Sequence, residues 1–201
     1  MAARFRRLRG GGISVNFTEG EAALLQAMLT DLDALLGSLE DSLEDSLEDS
    51  TAGLGSAVPA PEQDPLAAMV GIGTATSAPE DPALARLFPD GYTDDDAASA
   101  DFRRYTQGGL RDARRLRIAT ALATLEAGTH RRQVLDADGA QAWLGVLNDL
   151  RLVLGERLEV TEDLDGMLAV MAPDDPRRAA LGVYDWLGWV EETLVRALMR
   201  T

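Results

Sequence analysis

At five places a residue able to cap a helix stands just before apolar residues spaced three and four apart, and no other feature constrains the fold as tightly. Thr18 caps and Glu21 completes a reciprocal capping box; Leu25, Met28, Leu29, Leu32, Leu35 and Leu36 then share one face. Asp81 with Pro82 opens a short helix, Ala83 to Phe88, that stops before Pro89. Thr93 opens a third helix carrying Phe102 and Tyr105. Gly108 and Gly109 predict a kink or a break before it resumes through Leu110, Leu116, Ile118, Leu122 and Leu125. After a turn at Gly128, Asp136 opens a fourth, with Trp143, Leu147, Leu150, Leu154 and Leu158 along one side. The last starts at Asp175 and Pro176 and runs to about Met199. Apolar residues cover most of its circumference, which places it at the centre of a fold or in a dimer interface, and Gly188 in its middle points to a close helix crossing. Ahead of these, Arg4 to Leu8 and Ile13 to Phe17 flank the triplet Gly10, Gly11 and Gly12 and read as a β-hairpin. The expectation is an all-α bundle of about five helices with a short N-terminal hairpin, forming one domain over residues 1–201.

Residues 38–78 interrupt this pattern. From Ser38 to Asp49 the tetrapeptide Ser-Leu-Glu-Asp occurs three times. As a helical extension it would continue the stripe of Leu32 and Leu36 through Leu39, Leu43 and Leu47, but a four-residue repeat drifts around a helix of 3.6 residues per turn. The preferred reading is a solvated, partly helical acidic insertion. It leads into a flexible linker rich in Gly, Ala, Ser and Thr, with Pro59, Pro61 and Pro65 too close together for helix.

The chemistry available is narrow. There is no cysteine, no lysine and one histidine, His130. Schiff-base chemistry, phosphate-cradling lysine loops, thiol nucleophiles and two-histidine metal sites are therefore out of reach. No catalytic residue, metal ligand or cofactor is assigned. His130 precedes Arg131 and Arg132 and is read as a neutral loop residue. Asp94, Asp95 and Asp96 suit a helix dipole better than a metal, because consecutive helical residues point in different directions. A carboxylate hydrolase would need Glu191 with Glu192, or Glu156 with Glu159, and no spacing singles out either pair.

A net charge of −15 argues against a whole-molecule polyanion binder. The densest basic stretch comprises Arg103, Arg104, Arg111, Arg114, Arg115 and Arg117, offset by Asp101 and Asp112. Of these, Arg103, Arg104, Arg111, Arg114 and Arg115 are the candidate DNA or partner surface; the competing reading pairs these guanidiniums with nearby carboxylates. Candidate structural or interface residues are Trp143, Asn148, Arg151, Tyr184, Asp185, Trp186, Gly188 and Trp189. Asp149 also interrupts an apolar helix, and a buried Asp185–Arg151 pair is expected to join the two most apolar helices. Arg4, Arg6, Arg7 and Arg9 lack an apolar run behind them, so no signal peptide is read, and no stretch of about eighteen apolar residues reads as a membrane span. A cytoplasmic protein is expected.

Three stretches carry a family resemblance. They are Phe5-Arg6-Arg7 with Phe17-Thr18-Glu19 and Leu24-Leu25; Asp81 through Asp90; and Trp143-Leu144-Gly145-Val146-Leu147-Asn148-Asp149-Leu150-Arg151-Leu152 followed by Tyr184-Asp185-Trp186-Leu187-Gly188. In this order they resemble an actinobacterial family once termed a domain of unknown function, the AosR-like oxidative-stress transcriptional regulators. The resemblance implies a cytoplasmic regulator acting with the transcription machinery through a sigma factor, RNA polymerase or promoter DNA; the missing reactive side chains make it a non-catalytic one, and the apolar last helix suits a homodimer. An adaptor or scaffold without DNA binding is the alternative. Redox-sensing members of that family use a close cysteine pair, so thiol sensing transfers to no position here.

Overall fold

A computed structural model describes residues 3–52, 77–128 and 132–199, without the side chains of 40–52. Of the linker expected over 50–78, residues 53–76 lie outside the described residues, as does His130. Six helices and one small sheet are present among those described: β1 Arg6–Arg7, β2 Ile13–Val15, α1 Glu19–Ala52, α2 Pro82–Leu87, α3 Asp96–Glu126, β3 Gln133–Leu135, α4 Ala137–Arg157, α5 Leu164–Val170 and α6 Arg177–Met199. The fold is all-α with a short N-terminal hairpin.

The capping signals explain the helix starts. Glu21 N donates to Thr18 Oγ1 while Thr18 N donates to Glu21 Oε2, the reciprocal box, and Glu21 Oε1 also accepts from Ala3 N. Asp81 accepts from Ala83 N and Leu84 N, and Asp136 accepts from Gly139 N. Arg177 donates to Asp175 from both its backbone N and its guanidinium, and those hydrogen bonds hold the Asp175 carboxyl below its ordinary value. α3 starts later than the sequence suggests, with Asp95 accepting from Ala98 N. Nor does it break at Gly108 and Gly109, because side chains on both sides of the glycines, Arg103, Gln107, Ile118, Ala121 and Leu125, are buried and hold it. The acidic repeat is helical in its backbone through Ala52.

The chain divides into two compact units, one of residues 1–32 with 116–201 and one of residues 33–115. In the first, β1, β2 and β3 form an antiparallel sheet in that order, with Arg6 opposite Ser14 and Ser14 opposite Val134. Gly11 and Gly12 take φ of 87° and 74° in the hairpin turn, a left-handed conformation that glycine adopts without a Cβ clash. β3 was not expected from sequence. α4 packs against α6, and Trp143 sits fully buried with its ring 5.1 Å from Phe17 and 5.9 Å from Phe5. Phe5 N donates to the buried Thr193 Oγ1, which ties the hairpin to α6.

The second unit holds the rest of α1, α2 and most of α3. Arg103 pairs with Asp90, Arg115 with Asp33, and Arg114 donates to Leu87 O. One described stretch, Glu19–Leu39, is long and apolar enough to cross a membrane by length and composition alone. Its stripe of Ala22, Leu25, Leu29, Leu32, Leu36 and Leu39 is buried in protein, the pattern of a core helix.

Candidate functional site

The site is built in the first unit, where two arginines lie over glycines of neighbouring helices. A Cβ on Gly145 of α4 would meet Arg117 Nη1 inside van der Waals contact, so only glycine lets the Arg117 side chain cross α4 in this pose. Arg117 thereby reaches Asp149, one turn further on, with Nη1 3.8 Å from Oδ2. The Asp149 side chain is 4% exposed. On α6, Arg151 lies over Gly188, where a Cβ would make ordinary van der Waals contact at 3.5 Å, and donates to Glu191 Oε2 at 2.6 Å. Burial disfavours charge on Arg151, but the hydrogen bond and charge of Glu191, with Tyr184 beside it, outweigh that and raise its pKa. The guanidinium also lies 5.3 Å from the Tyr184 ring centroid, and Tyr184 in turn packs on Gly155. These are ion pairs between helices, the second of them hydrogen-bonded.

Above the Arg117–Asp149 pair an open groove of about 980 Å³ runs between α3, the first half of α4 and the later part of α6. Leu116, Ala142, Leu144 and Val195 give it apolar walls; Asp136, Asp138 and Glu191 outnumber Arg117 along it. Leu116 is 70% exposed. Asn148 is exposed and lines the groove.

The expected Asp185–Arg151 pair does not form: Asp185 is exposed and the partner of Arg151 is Glu191. Asp185 and Glu191 are six residues apart, which is about 120° around a helix, so a side chain seated over Gly188 and paired with Glu191 faces away from Asp185. On α6 only one face is buried, through Leu181, Leu187, Val190 and Leu194; Tyr184 and Trp186 are half-buried and Trp189 is exposed. The candidate arginines lie in the second unit. Arg103 and Arg115 are engaged as described above, Arg111 pairs with Asp112, and Arg114 lies 4.9 Å above the Phe88 ring. Arg104 is exposed beside the Tyr105 ring. The acid pairs do not converge: Glu191 is taken by Arg151 and Glu192 by Arg196, while Glu156 and Glu159 are exposed. Among the described residues no three His, Asp or Glu side chains group as metal ligands do. Sequence reasoning missed Arg117 and Gly145 as a unit, although Gly145-x-x-x-Asp149 was a readable signal.

Fold and groove together define a helical domain whose distinctive parts are glycine-seated arginine pairs beneath an open cleft. The chain belongs to the DUF2017 family, a domain of unknown function, whose pattern matches residues 2–198. It is similar to the putative oxidative stress regulator AosR of Mycobacterium leprae (strain TN), 34% identical over 129 residues, covering 58% of each chain. It is also similar to the oxidative stress regulator AosR of Mycobacterium tuberculosis (strain ATCC 25618 / H37Rv), 33% identical over 123 residues, covering 55% of this chain and 53% of that one. The chain thus spans little more than half the length of the curated relatives it matches. No solved structure matches it.

Proposed function

We propose that the chain is a non-catalytic cytoplasmic regulator in the oxidative stress response that acts by holding a protein segment in the α3–α4–α6 groove. The observation that carries this reading is the groove itself: apolar walls, an acidic excess, and a floor fixed by an arginine pair instead of converging reactive groups. Its charge complements an apolar helical segment flanked by basic residues, the helix-in-groove mode of recognition. The regulatory role is supported by the relatives' names, and a sigma factor or RNA polymerase is the proposed source of the segment. Crosslinking in the native cell followed by mass spectrometry tests the choice of partner. Recovery of sigma factor or polymerase peptides is expected; recovery of protease components alone would move the protein to the adaptor class.

A second reading, contact with promoter DNA, is favoured by a different set of arginines from the α3 stripe. Arg4, Arg6, Arg7 and Arg9 are all exposed, and none makes an ion pair among the described residues. Arg4, Arg6 and Arg7 line one recess of about 300 Å³ with Arg196. Phosphate contacts of this kind give binding that falls steeply with salt. Changing Arg4, Arg6 and Arg7 together to glutamine is expected to abolish salt-sensitive DNA retention without lowering the melting temperature. Retention that survives this change would remove the arm from the DNA reading.

A further inference from the structure

We propose that the pocket between the Phe88–Gly91 turn and α3, where an unpartnered glutamine amide and two guanidiniums meet aromatic walls, binds a small aromatic acid carrying a hydrogen-bond donor. The site lies wholly within the unit of residues 33–115 and does not rest on the regulatory reading. Its volume of about 330 Å³ is at the small end of ligand clefts, the size for one ring. Leu87, Phe88, Phe102 and Leu110 form its walls, and Phe102 and Leu110 remain about two-fifths exposed, at 40% and 42%. The turn sits tightly on α3: a Cβ on Gly91 would come 2.8 Å from the Phe102 ring, so the wall is set by a glycine.

Gln107 points to a ligand. It is 6% exposed, lines this pocket, and its Oε1 accepts no hydrogen bond. A buried amide oxygen without a donor is costly, so its retention in an apolar wall implies a donor supplied from outside. The charges select the rest of the ligand. Arg103 and Arg114 bring two cations to the pocket and Asp90 one carboxylate, leaving an excess of positive charge beside aromatic surface. Each guanidinium carries five N–H groups and can add an acceptor to the partners it already has. A carboxylate on the ring meets that excess, and a hydroxyl or N–H on the same ring donates to Gln107 Oε1.

The test titrates the full chain with 3-hydroxybenzoate, 4-hydroxybenzoate and benzoate, followed by amide NMR shifts and melting temperature. Saturable shifts confined to residues 87–114 are expected, with at least one hydroxybenzoate binding up to about tenfold more tightly than benzoate. In Gln107→Met the preference for the hydroxyl disappears, and the unliganded protein melts no lower, since an unpaired buried amide has been removed. Should that variant fail to fold, Gln107→Glu keeps the shape, and its added charge is expected to expel all three acids. No saturation by any of them at about 10 mM, or a hydroxyl preference unchanged in Gln107→Met, would overturn the proposal; the latter would mean that water alone satisfies the amide.

Discussion

Trp143→Ala lowers the melting temperature by roughly 6–20 °C and is the most damaging single change expected in the chain. The ring is fully buried and packs on Phe17 and Phe5, so truncation removes the contact surface that joins α4 to the hairpin and the entry to α1. Buried tryptophan-to-alanine changes cost about 3–5 kcal/mol. At about 2–4 °C per kcal/mol for a chain of this size, that is the stated shift. Against a total stability of about 5–15 kcal/mol it removes a large share of the folding free energy. Trp143→Phe keeps most of the apolar surface and should lose less than half as much, because the indole N–H makes no hydrogen bond that the change would sacrifice. Calorimetry on both variants checks the claim. A Trp143→Ala protein that melts within 3 °C of the parent would place the core elsewhere.

Arg117→Ala comes second, and its cost arises from what it leaves behind. Asp149 is 4% exposed, and removing Arg117 takes a positive charge from beside a buried carboxylate. Breaking one side of a buried pair costs about 3–5 kcal/mol, whereas replacing both sides by apolar residues is often neutral or better. The double variant Arg117→Met with Asp149→Leu should therefore recover most of the stability lost by Arg117→Ala. The Arg151–Glu191 pair is more exposed, so its disruption is screened by solvent and weighs less. Urea unfolding of the three proteins measures this. A double variant as unstable as the single one would show that Arg117 contributes through packing alone.

Helix starts were legible where a side chain and the backbone it caps are neighbours in sequence. Thr18 with Glu21, Asp81 with Pro82, and Asp136 are such cases, because a cap is a local interaction. β3 was not legible: three residues, Gln133 to Leu135, carry too little period, and their strand exists through pairing with Ile13 to Val15, about 120 residues away. α5 escaped for a similar reason, being seven residues long with no buried side chain. At the candidate site the sequence expected Arg151 to pair with an acid of the last helix, and the fold pairs it with Glu191 beside Tyr184 and Gly188. It chose the wrong acid because two carboxylates, Asp185 and Glu191, sit near Gly188, and only the rotation of α6 decides between them. Arg117 looked like one more member of a basic stripe. Its role depends on Gly145 lying opposite, a relation between helices that no spacing within one helix records.

The central claim is that the α3–α4–α6 groove is where this chain meets its partner. Leu116→Asp tests it directly, since this residue lines the groove, is largely exposed and can be changed without unfolding the domain. Crosslinked capture from the native cell, quantified for Leu116→Asp beside the parent protein at equal melting temperature, should show at least a tenfold loss of the partner, about 1.4 kcal/mol. Capture of the same partner in undiminished amount would contradict the account.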